Sequence, residues 1–131
     1  MAAFSPETFT SRALDILGLS SEVIISELTV TETRISLIRK RKRGVMTANE
    51  VATALAELAA TIRDGVLVVE PLPVEAFRAA EDIADRVSGP VRAMDALHVA
   101  MAGILSAELA TFDGDQAIAA KAEGITTHTD R

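Results

Sequence analysis

The chain has 131 residues, 49% of them hydrophobic and 24% charged, with a formal net charge of −6. Such a length supports one domain with a sizeable core, and such a composition excludes a disordered chain. The lack of cysteine excludes disulfide frameworks and thiolate chemistry, and no apolar run approaches the roughly 20 residues of a membrane span. Four Phe are the only aromatic residues, so a base-stacking platform for single-stranded nucleic acid is excluded too. An acidic chain lacks a global electrostatic footprint for nucleic acid; any RNA contact has to run through a metal or a local basic patch. Met1 leads into Ser5-Pro6-Glu7, a helix opening rather than a secretory signal, which fits a cytoplasmic location.

Ser5 as N-cap and Pro6 at the first helical position predict a helix over 6–19, with Phe9, Ala13, Leu14 and Leu17 on its apolar side. Val23-Ile24-Ile25 is a β-branched run that predicts a buried strand ending near Ser26. Residues 28–43 follow as a helix with Leu28, Thr31, Ile35 and Ile38 turned inward and Glu32 at the rim. Arg39-Lys40-Arg41-Lys42-Arg43 and the stop signal Gly44 close it. The basic run complements the negative end of the helix dipole and equally suits a phosphate or a partner. Thr47-Ala48-Asn49-Glu50 is a capping box for a helix to about Arg63, with Val51, Leu55, Leu58 and Ile62 on one face. Val66–Val69 predicts a second strand buried on both faces, ended by Pro71 and Pro73. Residues 74–87 predict a helix resting on Val74, Phe77, Ile83 and Val87.

The stretch from Arg92 to Gln116 carries the chemistry. Asp95 opens a helix whose buried stripe is Leu97, Met101 and Ile104, and His98, three residues on, shares the neighbouring face. Leu109–Phe112 is a short strand with Asp113 at its end. A short helix to Glu123 and an edge strand over 125–127 follow. The alternation of short β-rich runs and helices predicts a mostly parallel sheet with helices on both faces: an α/β chain, one three-layer α/β/α domain over 1–131. Ligand sites in such sheets lie at the carboxyl ends of strands. Two carboxylates brought there by different elements suit a hard divalent cation. Taken singly, each has a plainer explanation. An Asp in a first helical turn is favoured by the dipole, and Asp-Gly after a strand is an ordinary turn.

With Glu32, Asp95 and Asp113 placed, the chain resembles the PIN-domain family, and within it the VapC-type toxins of prokaryotic toxin–antitoxin pairs. The matching text is Ile25-Ser26-Glu27-Leu28-Thr29-Val30-Thr31-Glu32, then Arg43-Gly44, then Met94-Asp95-Ala96-Leu97-His98-Val99-Ala100, then Leu109-Ala110-Thr111-Phe112-Asp113. The resemblance runs over residues 6–128 and implies an endoribonuclease that depends on Mg2+ or Mn2+. It implies Glu32, Asp95 and Asp113 as catalytic metal ligands, Asp115 as an outer one, and Ser26 and Thr111 as small hydroxyl residues beside the site. It also implies an RNA substrate, a homodimer and a VapB-like antitoxin. The antitoxin would lie between the helices of 28–43 and 47–63, near Leu37, Val45 and Met46. His98 is expected to pack or hydrogen-bond beside Asp95.

One departure stands out. Family members open on a strand ending in a first aspartate, whereas this sequence shows no such strand and starts at the helix that normally follows. Asp15, mid-helix, does not replace it. The resemblance therefore implies an N-terminally truncated PIN-like domain, with three readings open: a coding start further upstream, a module that binds its antitoxin without cutting, or weak metal binding by three carboxylates. Asp113-x-Asp115 after a strand also suits haloacid dehalogenase-like phosphatases, but the 16 residues beyond Asp115 are too few for that fold's remaining partners.

Overall fold

The structure, a computed structural model, describes residues 2–4, 23–111 and 113–128, the first three as backbone. The helix expected over 6–19, with Asp15, lies outside these residues, as does Phe112. In chain order the elements are β1 (Ala2–Phe4), β2 (Val23–Ser26), α1 (Glu27–Lys42), α2 (Ala48–Arg63) and β3 (Leu67–Glu70). Then come α3 (Glu75–Arg86), α4 (Ala93–Ile104), β4 (Glu108–Ala110), α5 (Gly114–Ala122) and β5 (Thr127–His128). All five strands are parallel in the order β3-β2-β1-β4-β5.

The missing opening strand is therefore a correction. Ala2–Phe4 forms β1 at the centre of the sheet, in register with Val23–Ile25 on one side and Glu108–Ala110 on the other. Three residues without a β-branched side chain carry no strand signal of their own. They are recruited because β2 and β4 each present an unpaired backbone edge, and one strand between them satisfies both. The strand's three residues nonetheless include no carboxylate.

Adjacent residues of β4 show the layering. Leu109 packs with Ala76, Ala80 and Ile83 of α3, Val99 and Ala102 of α4, and Ala119 and Ala120 of α5. Ala110 packs with Val23 and Ile25 of β2, Val30 of α1, Leu58 of α2 and Leu67 of β3. Successive strand side chains point to opposite faces, so α3, α4 and α5 cover one face and α1 and α2 the other. The helices over one face use small residues: with Ala at many contact positions, α3 and α4 approach closely over Leu109, which is fully buried.

Several expected inward stripes are shifted. On α1 the buried residues are Thr29 and Val30, while Thr31 is exposed and Ile35 and Ile38 are 50% and 37% exposed. Among the described residues the buried side chains of α1 lie in its first turn, and its later apolar residues stay partly or largely exposed. On α3, Ile83 and Val87 are buried as expected, but Ala76 and Ala80 take the places assigned to Val74 and Phe77, which are exposed. On α4, Met101 is buried, Leu97 is half-buried and Ile104 is exposed. In β3 only Leu67 is fully buried, because β3 is an edge strand. The last strand begins at Thr127, two residues later than expected, where it pairs with Leu109.

Helix ends follow local chemistry. Thr47 and Glu50 close the capping box in both directions, at 3.1 and 3.0 Å. Gly44 leaves α1 at φ +74, a left-handed conformation that glycine adopts without strain, and its N–H donates to Arg41 O. Among the described residues no helix is long and apolar enough to cross a membrane.

Candidate functional site

Parallel pairing brings every strand's carboxyl end to one edge. β2 and β3 lie on one side of β1, and β4 and β5 on the other, so the chain reverses its direction of travel across the sheet at β1 and β4. A crevice opens outside the carboxyl ends at such a reversal, which is where ligands bind in open α/β sheets.

The polar residues around that crevice are held by short local devices. Ser26 ends β2 and caps α1, its Oγ accepting from Thr29 N at 2.9 Å, with Ser26 Oγ and Thr29 Oγ1 3.1 Å apart. The cap sets where α1 starts, and Glu32 falls in its second turn. Across the edge Thr111 follows β4 fully buried, and its Oγ1 accepts from Asp113 N at 3.0 Å. Asp113, expected at the end of the strand, is instead the N-cap of α5, three residues beyond Ala110 where β4 ends, and its Oδ1 accepts from Gln116 N at 3.1 Å. Asp95 lies in the first turn of α4, where the dipole favours an anion. Asp115 is exposed in the first turn of α5.

Two side chains tie these carboxylates into one string. His98 is 5% exposed and sits 2.7 Å from Glu32 Oε1 through its Nε2. A carboxylate only accepts, so Nε2 carries the donating proton. The expected place of His98 beside Asp95 is thus occupied differently: the imidazole reaches across to α1 and orients Glu32. Gln116 Nε2 donates to Asp95 Oδ1 at 3.3 Å. Glu32, His98, Asp95, Gln116 and Asp113 are therefore linked in sequence by hydrogen bonds and one turn of α4.

Gln116 was not among the expected site residues. Asp113-Gly-Asp-Gln116 does have the spacing of a capping box, yet its side chain turns to Asp95 instead of back to the cap. The amide's other end, Oε1, is buried with no hydrogen-bond partner among the described residues. Such an oxygen is costly unless something occupies it. Among the described residues no three acidic or histidine side chains are grouped closely enough to hold a metal ion by themselves.

The family model of the PIN domain matches residues 1–122. Similar solved structures include VapBC2 from Rickettsia felis bound to a DNA fragment from its promoter, at a TM-score of 0.72 and 10% identity, covering 99% of this chain and 98% of that one. FitAcB from Neisseria gonorrhoeae matches at 0.66 and 16%, covering 97% and 96%. VapC20 of Mycobacterium tuberculosis, a toxin that cleaves the sarcin–ricin loop, matches at 0.62 and 19%, covering 96% and 97%. A search of curated proteins by sequence finds no match.

Proposed function

The chain belongs to the PIN domain family, and we propose that it is a metal-dependent endoribonuclease of the VapC toxin type. The observation that carries this reading is the hydrogen-bonded string from Glu32 to Asp113 at the reversal point of the sheet. The donor set suits magnesium or manganese: carboxylate and amide oxygens are hard ligands, and a buried amide oxygen waits without a partner beside Asp95. Glu32, Asp95 and Asp113 would hold the ion, with Asp115 at the rim. Bound there, the ion supplies Lewis acidity toward phosphate oxygens and makes water more acidic.

The chain's own residues do the remaining work. His98 fixes Glu32 through Oε1, which orients the carboxylate and leaves Oε2 to face a ligand or water. Gln116 holds Asp95 from the side, and its N–H holds Asp113, so one residue sets the spacing of both carboxylates. Thr111 fixes the backbone at Asp113. Preset oxygens need little reorganisation when the charge of a phosphodiester enters.

A second reading has its own support. β1 carries no carboxylate, and among the described residues the acidic side chains are not grouped in threes. Both facts favour a catalytically impaired module that binds an antitoxin. Ile35, Ile38 and Val45 leave apolar surface on α1 and the turn after it, which fits an amphipathic segment of a VapB-like partner. Exposed Val74, Phe77 and Met94 fit a homodimer contact.

The test is RNA cleavage with Mg2+ or Mn2+, with chelator, and with Asp95→Asn and Asp113→Asn. Cleavage that disappears in chelator and in both variants supports the enzyme; cleavage that survives both sinks it. A chain that cuts nothing but co-purifies with a small partner, and loses it on Leu37→Glu with Met46→Glu, is the binding module.

A further inference from the structure

Five of the chain's thirteen Lys and Arg residues are consecutive, from Arg39 to Arg43, in a protein of net charge −6. All five are exposed, and none pairs with an acidic group among the described residues. Complementing a helix dipole does not need five adjacent cations. Like charges spaced i,i+3 and i,i+4, here Arg39 with Lys42 and Arg43, repel one another. A bound polyanion relieves that repulsion.

The helix decides where those cations stand. They share α1 and its cap with Glu32. From Glu32, Arg39 is about 1.9 turns on and Arg43 about 3.1, so both lie over Glu32's face, whereas Arg41, about 2.5 turns on, lies opposite. Along the axis Arg39 is about 10 Å and Arg43 about 16 Å from Glu32. Phosphates of a stacked strand recur at about 3.4 Å along its axis. The two arginines therefore stand about three and five phosphates from one at Glu32.

We propose that Arg39 and Arg43 form a phosphate-contacting line that leads a single RNA strand away from the carboxylates along α1. The inference rests on the ribonuclease reading and adds the footprint: the substrate is a strand of at least five nucleotides beyond the cleaved bond, not a mononucleotide or dinucleotide. RNA fits better than an acidic protein, because two of the five cations, Arg39 and Arg43, align with the face of Glu32 at a multiple of the phosphate repeat.

The experiment measures fluorescence anisotropy of a labelled single-stranded RNA against the full chain carrying Asp95→Asn, over a salt series. Arg39→Ala with Arg43→Ala should weaken binding about tenfold and lower the slope of log K against log salt by about 1.4, the contribution of two phosphates on a single strand. Arg41→Ala should change affinity less than threefold. Alanine favours helix, and circular dichroism of each variant checks that α1 persists. Equal losses from Arg41 and from the pair, or no loss from either, overturn the line while leaving the ribonuclease reading standing. A parent that binds no RNA overturns both. If the pair retains RNA binding but loses an acidic protein partner, the face serves that partner and the inference is wrong.

Discussion

Gln116 offers the sharpest perturbation, because its two ends make opposite demands. Nε2 donates to Asp95 across 3.3 Å, and Oε1 is buried without a partner. A hydrogen bond to a charged group contributes about 1.5–3 kcal/mol, and at this length the lower end applies; an orphaned buried oxygen costs about 1–3 kcal/mol. Gln116→Met removes both at similar volume, so metal-free stability should change by no more than about 1 kcal/mol. Its Mn2+ affinity should fall about tenfold, since an oxygen and the support of Asp95 are lost together. Gln116→Glu places a full negative charge beside Asp95, which repels it when no ion is present and strengthens the site when one is. That variant should melt lower than the parent without metal and bind Mn2+ about tenfold tighter. Isothermal titration and melting with and without Mn2+ read both effects, since binding to the native state raises the melting temperature by mass action. If glutamate weakens Mn2+ binding as methionine does, the amide only positions Asp95. If the parent itself shows no Mn2+ binding, the metal reading fails at its root.

Three further outcomes are expected. His98→Leu removes the donor to Glu32 while keeping an apolar side chain in a buried position; kcat for RNA cleavage should drop while RNA affinity stays within twofold, and an equal loss in both would mean His98 supports the fold alone. Leu109→Ala, at a fully buried position between β4 and three helices, should lower urea-unfolding stability by about 2–5 kcal/mol. Glu50 is held below its usual carboxylate pKa, mainly by the Thr47 backbone N–H. A lowered folded-state value means its contribution is present at neutral pH and is lost as pH falls through that value. Glu50→Gln should therefore flatten the loss of stability below pH 4.5, and an unchanged acid limb would refute the assignment.

Much of the local structure was legible because it depends on neighbours in sequence. The Thr47–Glu50 box, the Val23–Ser26 strand and the place of Asp95 in the first turn of α4 all follow from a few adjacent residues. The inward stripes were read less well. Periodicity tells which residues share a face but not whether another element covers it: Ile35 and Ile38 share the predicted inward stripe of α1 and yet are exposed. Ala76 and Ala80 are buried because close helix packing selects for small size, which no hydropathy pattern records.

By itself the sequence determined the order of the elements from β2 onward and the parallel α/β class, because caps, β-branched runs and chain order are local and directional. Only the tertiary structure decided that Ala2–Phe4 is the central strand, since its pairing is set by the edges of β2 and β4 and not by its own composition. It likewise decided that His98 serves Glu32 and that Gln116 joins Asp95 to Asp113. Those partners are 66 and 21 residues apart for the side-chain bonds, and no periodicity in a chain reports which distant groups its folding brings within hydrogen-bonding reach.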